Sequence, residues 1–197
     1  MNWDRVNVWT NTLYTLIHSI YIAKQIDFGN LTQIPNSIVT AGSWTVPPCS
    51  YDSILANRPF GKNSPTFRRD PNKHFPEITE QIVKMLIQDL TVILDEMMTE
   101  ALIAHQLAAG PFPQSKIQKL ATRLQPQYDW SRQGCLELVA VRNVLTHANG
   151  HWNAKAIAIV SPFLASAPKA GDPLKVGFQM LFQYRKAMRT FLNETSK

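Results

Sequence analysis

Residues 77–107, EITEQIVKMLIQDLTVILDEMMTEALIAHQL, form the longest uninterrupted helical pattern in the chain. Apolar side chains recur there at steps of three and four residues, the spacing that places them on one face of an α-helix. The members of this stripe are Ile78, Ile82, Leu86, Leu90, Ile93, Leu94, Met97, Ala101 and Leu102. Pro76 suits the first position of a helix, and a rise of about 1.5 Å per residue gives a length of about 45 Å. A helix of this length predicts a bundle built around it.

Four further segments carry the same periodicity, at residues 4–26, 116–124, 130–148 and 178–193. Ser115 and Asp129 precede two of them and are residue types that cap helix N-termini. Residues 156–160 are short, apolar and partly β-branched, which indicates a brief strand or a buried linker. We therefore predict an all-α fold, an up-and-down bundle of four or five main helices.

Residues 28–76 interrupt this pattern with seven of the chain's 13 prolines. A segment of this length without strong periodicity is unusual inside a compact domain. We predict a long, Pro-rich irregular insertion here, within a single helical domain that covers residues 1–197. The length of the chain suits one domain that buries its core without disulfides or metals.

Positive charge concentrates in the C-terminal part of the chain. Residues 111–197 hold 12 Lys and Arg against 4 Asp and Glu, whereas residues 1–110 hold 8 against 10. A basic field attracts polyanions such as RNA and speeds their capture. The alternative is a basic protein that has no specific polyanion partner.

Several function classes find no support in the sequence. The two cysteines, Cys49 and Cys135, have no partner at metal-ligand spacing. We find neither a Gly-rich phosphate loop nor a protease-type constellation of Ser or Cys with His. The N-terminus lacks the apolar core of a signal peptide, and no apolar run is long enough to span a bilayer. We expect a soluble cytoplasmic protein without a metal, a cofactor or a membrane partner.

Residues 142–147, RNVLTH, contain the strongest candidate for chemistry. Arg142 carries a permanent charge and presents a planar fork of donors that fits phosphate oxygens. Histidine, here His147, is the residue type that both takes and gives a proton near neutral pH. The alternative is structural, because Arg and His also occur near helix C-termini to complement the helix dipole.

The spacing of the two residues limits how one helix presents them. Arg142 and His147 are five residues apart, about 140° around the axis of a straight helix, so they do not share one face. Gly150 follows where a helix C-cap glycine is expected. We predict that His147 lies in the last turn with Arg142 one turn back. One copy of the motif is then expected to make a poor cleft.

The stretch resembles the R-x4-6-H motif of the HEPN superfamily, in which a polar residue, often Asn, follows the Arg, as Asn143 does here. The resemblance is specific over residues 142–150 and extends loosely to the C-terminus. It implies a small helical bundle that belongs with metal-independent ribonucleases, many of them toxins or phage-defence proteins. It also implies a homodimer, because that family pairs two motifs across a two-fold axis. Trp152 is our candidate for an apolar contact beside this axis.

We therefore expect an endoribonuclease that cleaves RNA through attack of a 2′-hydroxyl on the neighbouring phosphate. His147 is the expected general acid/base, Arg142 binds the phosphate, and Asn143 orients the histidine or a phosphate oxygen. The cations expected to help hold the RNA lie on the outer face of the last helix and are Arg185, Lys186 and Arg189. The expected partners are RNA, a second copy of the chain and an antitoxin protein.

Two other functions remain open. The same helices suit a non-catalytic HEPN-like module that binds a nucleotide or a protein partner. A purely structural helical dimer is the third hypothesis. A zinc site made by His147 and His151 is disfavoured, because Gly150 ends the helix between them and no Glu follows His147.

Overall fold

The computed structural model describes residues 2–25 and 71–197, with side chains from Phe75 onward in the second range. These ranges contain six helices and no strand, and an isolated antiparallel bridge joins His151 to Pro173. The predicted all-α class is confirmed. The up-and-down arrangement of a bundle stays a prediction.

In chain order the helices are α1 (Asp4–Ala23), α2 (Pro71–Ala104), α3 (Pro113–Ala121), α4 (Asp129–His147), α5 (Ala154–Val160) and α6 (Phe178–Thr195). A 3₁₀ turn over Pro126–Tyr128 leads directly into α4. Across the described ranges, none of the helices combines the length and the hydropathy that crossing a membrane requires.

The chain divides into two compact units, one of residues 1–16 with 80–197 and the other of residues 17–79. In the second unit the structure describes the end of α1 and the beginning of α2. The contacts and sites discussed below belong to the first unit. The predicted insertion at residues 28–76 lies outside the described residues as far as residue 70, and the expectation of one domain stays a prediction.

Helix α4 organises the C-terminal part of the first unit. Eight of its 19 residues are buried, and it packs against α3, α5 and α6. Gly134 of α4 lies so close to Ala187 of α6 that a Cβ atom added to the glycine would be 2.6 Å from the alanine Cβ. Three residues further along α4, Glu137 accepts a hydrogen bond of 3.0 Å from the hydroxyl of Tyr184. The two helices therefore run in opposite directions.

Polar contacts hold α1 and α3 on α2. Trp9 of α1 is buried, and its indole N–H donates to the carbonyl oxygen of Leu86 at 3.0 Å. Lys116 of α3 is also buried, and its ammonium group donates to both carboxylate oxygens of Asp95 at 2.8 Å and to Thr99 Oγ1 at 2.9 Å. All three ammonium donors are satisfied, which is the condition for burying this charge at tolerable cost.

Helix α2 begins earlier than the sequence analysis predicted. It starts at Pro71, so that Pro71 and not Pro76 holds the first position, and Pro76 lies inside the helix. Residues 71–76 are therefore helical and do not belong to an irregular insertion. The sequence suggested the later start because the apolar periodicity begins only at Ile78. Ile78 itself is 45% exposed and does not join the buried stripe.

The segment around residues 156–160 is helix α5, so the prediction of a strand or linker was wrong. Asn153 caps it, because its side-chain oxygen accepts a hydrogen bond from the Ala156 N–H at 2.9 Å. Ala156 and Val160 pack with Ala140 and Val144 of α4 in one buried cluster. A run of this length does not distinguish a strand from a helix by periodicity. The cap by Asn153 and the packing against α4 favour the helix over a strand.

Neither Ser115 nor Asp129 caps a helix as predicted. Helix α3 already begins at Pro113 after Phe112, and the Ser115 hydroxyl donates to the Phe112 carbonyl oxygen at 2.8 Å. Asp129 is the first residue of α4, with Tyr128 before it. In both cases a proline starts a helical turn two or three residues before the polar residue, because its fixed φ favours a first turn.

Candidate functional site

The end of α4 fixes the position of His147. His147 is the last residue of the helix, and the N–H groups of Ala148 and Gly150 both donate to the Val144 carbonyl oxygen, at 3.1 and 3.2 Å. Asn149 and Gly150 have φ angles of 48° and 77°. Asparagine tolerates the left-handed conformation better than most residues, and glycine adopts it freely. Asn149 therefore takes the first left-handed position, where we had expected Gly150 to end the helix.

The three residues of the motif meet at this end of α4. Arg142 Nη1 donates to Asn143 Oδ1 at 3.2 Å and lies 3.4 Å from His147 Nε2. Because a guanidinium group only donates, this second contact is a hydrogen bond when Nε2 carries the lone pair and Nδ1 carries the proton. The arrangement places a permanent cation directly beside a proton-accepting nitrogen.

This contact corrects the expectation that one copy of the motif makes a poor cleft. The two Cα positions are about 140° apart around α4, but the arginine side chain is long enough to reach across the helix surface. Arg142 and Asn143 are half-buried, and His147 is exposed. A ligand in solvent can therefore reach the histidine and the end of the guanidinium group together.

The three cations predicted on the last helix, Arg185, Lys186 and Arg189, make different contacts. Lys186 Nζ lies 5.7 Å from the centre of the Trp130 ring, and Arg189 Cζ lies 5.1 Å from that of Trp3. Both distances are typical of cation–π contacts. The Nε atom of Arg185 is buried and has no hydrogen-bond partner among the described residues.

Helix α6 does not bring these cations to the motif. Trp130, Gly134 and Glu137 of α4 each contact α6. On a helix that turns about 100° per residue, they point at least about 80° away from the motif residues Arg142, Asn143 and His147. The antiparallel packing also places the α6 cations beside the first half of α4, whereas the motif occupies its last two turns. One chain therefore presents the two sets on different faces.

A cleft of about 610 Å³ opens near the end of α4, and its lining does not include Arg142, Asn143 or His147. Its lining includes Glu80, Lys84, Leu145, His151, Lys175 and Gly177. His151 Nδ1 lies 3.1 Å from the Asn149 carbonyl oxygen, and since a carbonyl only accepts, Nδ1 carries the proton in this contact. From the sequence, His151 was a candidate only for a zinc ligand. His151 lies in a cleft because residues 173–177 line the same cleft in the fold. No local sequence pattern connects those residues with His151.

A second groove, of about 530 Å³, lies between α3, α4 and the end of α5. Its polar residues are Gln114, Gln118, Asp129, Arg132 and Gln133, and Leu136, Ile159 and Phe163 are among its apolar ones. We call it the glutamine groove. No sequence pattern indicates this groove, because its three glutamines come from two helices that the fold brings together.

One carboxylate organises the polar side of the glutamine groove. Asp129 accepts hydrogen bonds from Arg132 Nε at 2.5 Å, from Arg132 Nη2 at 3.1 Å and from Gln133 Nε2 at 2.7 Å. The hydrogen bonds from Arg132 are the main cause that holds the pKa of Asp129 below its usual range. The same contact raises the pKa of Arg132. Both side chains are therefore charged at neutral pH, and their opposite charges compensate each other.

No group of three or more His, Cys, Asp or Glu side chains is placed to hold a metal ion in the part of the chain that the structure describes. Cys135 is fully buried, and burial raises the pKa of its thiol, which removes it as a nucleophile near neutral pH. No protein-family profile, curated protein or solved structure matches the chain.

Proposed function

We propose that this chain is a metal-independent endoribonuclease of the HEPN type. The observation that carries the proposal is the contact of 3.4 Å between Arg142 Nη1 and His147 Nε2, with Asn143 bonded to the same guanidinium group. A fixed cation beside a proton-accepting nitrogen is the minimum equipment for cleaving a phosphodiester without a metal ion. The resemblance of residues 142–150 to the HEPN motif adds the class of toxins and phage-defence ribonucleases.

The proposed reaction uses the ribose as its own nucleophile. The 2′-oxygen attacks the adjacent phosphorus, its proton passes to His147, and the bond from phosphorus to the 5′-oxygen breaks. A proton is returned to the departing 5′-oxygen, which leaves a 2′,3′-cyclic phosphate and a 5′-hydroxyl. Arg142 binds a phosphate oxygen and stabilises the charge that builds on it, and Asn143 holds the guanidinium group in place.

Purified protein tests this proposal when it is incubated with RNA in excess EDTA. Wild-type protein is expected to cleave, whereas Arg142→Ala and His147→Ala should each lower the rate by at least about 100-fold. Arg123→Ala is the matched control, since Arg123 is an exposed arginine just after α3, and it should retain the wild-type rate. Full activity in either motif variant, or loss of all activity in EDTA, would contradict the mechanism.

We also propose that the working unit is a homodimer in which two motifs serve one cleft. The support is chemical, because a second His147 would supply the acid that protonates the departing 5′-oxygen. Geometry does not require a second copy of the motif, since Arg142 and His147 already meet in one chain. Trp152, our candidate for a contact beside the axis, is half-buried against the cluster between α4 and α5 of its own chain.

Mixed dimers test the shared cleft. A dimer of one wild-type chain and one Arg142→Ala/His147→Ala chain should show far less than half of the wild-type rate. A rate of about half would mean that each chain works alone, and a monomer of about 22.3 kDa that still cleaves RNA would refute the shared site. Within this proposal the RNA is bound in the cytoplasm, and an antitoxin protein is the expected regulator.

The 610 Å³ cleft favours a second candidate function, a non-catalytic module that binds a nucleotide. Its volume is in the range of small-molecule sites, and Lys84, Lys175 and His151 line it. Calorimetric titration with mononucleotides tests this candidate. Saturable binding that Lys175→Ala abolishes, together with no RNA cleavage, would favour the module over the ribonuclease.

A further inference from the structure

The glutamine groove lies on the same face of α4 as two of the motif residues, Asn143 and His147. Asp129, Arg132 and Leu136 of the groove and Asn143 and His147 of the motif fall within an arc of about 60° around the helix. Leu136 and Asn143 are seven residues apart, about 10 Å along the axis. A stacked strand advances about 3.4 Å per nucleotide. A strand with one phosphate at the motif therefore reaches the groove within about three nucleotides.

The groove offers hydrogen-bonding groups without free charge. Gln114 and Gln118 have no side-chain hydrogen bond to any residue that the structure describes, so their amides are available. Gln133 uses one N–H on Asp129 at 2.7 Å and keeps its carbonyl oxygen. Arg132, the one cation of the lining, is held by Asp129. Such a site suits a neutral polar group better than a phosphate.

The floor of the groove is apolar. Leu136 is buried, and Ile159 and Phe163 are half-buried beside it. A flat ligand with hydrogen-bonding edges matches an apolar floor with amides on the rim. An unpaired nucleobase has this chemistry, because single-stranded RNA is recognised by stacking on side chains and by hydrogen bonds to the base edges.

We propose that the glutamine groove binds an unpaired base of the RNA, within about three nucleotides of the cleaved phosphate. Adenine is the base expected, since a glutamine amide pairs with its N6 and N7 atoms through one acceptor and one donor. The placement of this base relative to the cleaved bond rests on the proposed ribonuclease function. The base preference itself rests on the groove.

Binding of uncleavable RNA tests the groove independently of catalysis. The probes are fluorescent 2′-O-methyl oligouridines in which a single A, C or G replaces U at each position in turn, measured by anisotropy with the full chain. Wild-type protein should bind the probe that carries adenosine at one particular position on the order of tenfold more tightly than oligouridine. Gln118→Ala should remove this difference, and Ala158→Trp, an exposed residue of the lining, should remove it by filling the groove.

The control is Gln183→Ala, which truncates an exposed glutamine of α6 that the groove does not contain. It should keep the adenosine preference. Equal affinity for all probes, or a preference that survives both Gln118→Ala and Ala158→Trp, would overturn the proposal. A preference for another base that Gln118→Ala removes would overturn the assignment of adenine.

Sequencing of cleavage products separates this inference from the proposed function. If wild-type protein cleaves RNA, the cut sites should carry adenosine at a fixed position within about three nucleotides of the cut, and Gln118→Ala should erase that bias. Cleavage with an unchanged bias would refute the groove alone. Base-selective binding without any cleavage would refute the ribonuclease and keep the groove.

Discussion

The guanidinium group of Arg142 restricts what His147 does before RNA binds. When Nε2 carries the lone pair, it accepts a hydrogen bond from Nη1 at 3.4 Å and is occupied by the arginine. A phosphate oxygen that binds the guanidinium group draws it away and frees Nε2 for the 2′-hydroxyl. We therefore expect the site to become competent only when its substrate is bound.

Asn143 takes part in this arrangement through one hydrogen bond of 3.2 Å to Arg142. Its replacement by alanine leaves both side chains of the proposed catalytic pair in place but frees the guanidinium group to rotate. Asn143→Ala is therefore expected to lower the cleavage rate less than Arg142→Ala or His147→Ala does. Single-turnover rates in EDTA measure the difference, and a loss as large as that of His147→Ala would make Asn143 a catalytic residue in its own right.

The pair of Asp129 and Arg132 predicts a defined dependence of stability on pH. The pKa of Asp129 lies below its ordinary value of 3.8 in the folded chain, so its contribution is complete above that pH and is lost as the pH falls below it. Both side chains are partly exposed, which limits the contribution to less than about 1 kcal/mol. The difference in free energy of unfolding between wild type and Asp129→Ala should shrink below pH 3.8.

Arg132→Ala is the matched variant, because it removes the same pair from the other side. Its difference from wild type in the free energy of unfolding should shrink over the same pH range, and the double variant should lose no more than about 1 kcal/mol beyond either single variant. A pH-independent difference for both variants would show that packing, and not the ion pair, connects these residues.

Helices α4 and α6 lie in close contact at Gly134. A Cβ atom there would lie 2.6 Å from the Ala187 Cβ, closer than two methyl groups pack. Gly134→Ala gains about 1 kcal/mol in helix propensity but loses about 1–3 kcal/mol through overpacking, so we expect lower stability in urea unfolding. The double variant Gly134→Ala/Ala187→Gly restores the room and should be more stable than either single variant. A single Gly134→Ala variant that is more stable than wild type would contradict this close contact.

The sequence predicted the helices where apolar periodicity was long. The stripe of α2 from Leu86 to Leu102 is buried as expected, because burial of one helical face requires that spacing. It did not predict α5, whose seven residues are too few to show a period. It also did not predict that Lys116 is buried, because the acceptors on Asp95 and Thr99 come from another helix.

For the candidate site, the sequence suggested Arg142, Asn143 and His147 but not how their side chains meet. The spacing of Arg142 and His147 gave their rotation around α4 correctly, yet it ignored the reach of the arginine side chain. The position of the α6 cations on another face depends on how α4 and α6 pack. The glutamine groove depends on α3, α4 and α5 together, so no local pattern contains it.

The charge of the whole chain predicts how binding responds to salt. Residues 111–197 carry 12 Lys and Arg against 4 Asp and Glu, and a polyanion bound by such a surface releases counterions. The logarithm of RNA affinity should fall linearly with the logarithm of the salt concentration. Lys186→Glu should weaken binding and lower this slope, because Lys186 is exposed on α6 beside Trp130.

Lys169→Glu is the control of equal charge change, in the exposed segment between α5 and α6. It should affect binding less than Lys186→Glu does. Because α6 faces away from the motif, Lys186→Glu should also leave the cleavage of a dinucleotide unchanged. Equal effects of the two variants, or salt-independent binding, would point to a ligand other than RNA.

The ends of the RNA products test the central claim most directly. An RNA oligonucleotide and a matched one with a single 2′-deoxyribose at the cut site are incubated with wild-type protein in EDTA, and the products are analysed by mass spectrometry. The account predicts 2′,3′-cyclic phosphate and 5′-hydroxyl ends from the first, no cut at the substituted site in the second, and neither product with His147→Ala. Products that carry 5′-phosphate ends, or cleavage at the deoxyribose, would contradict it.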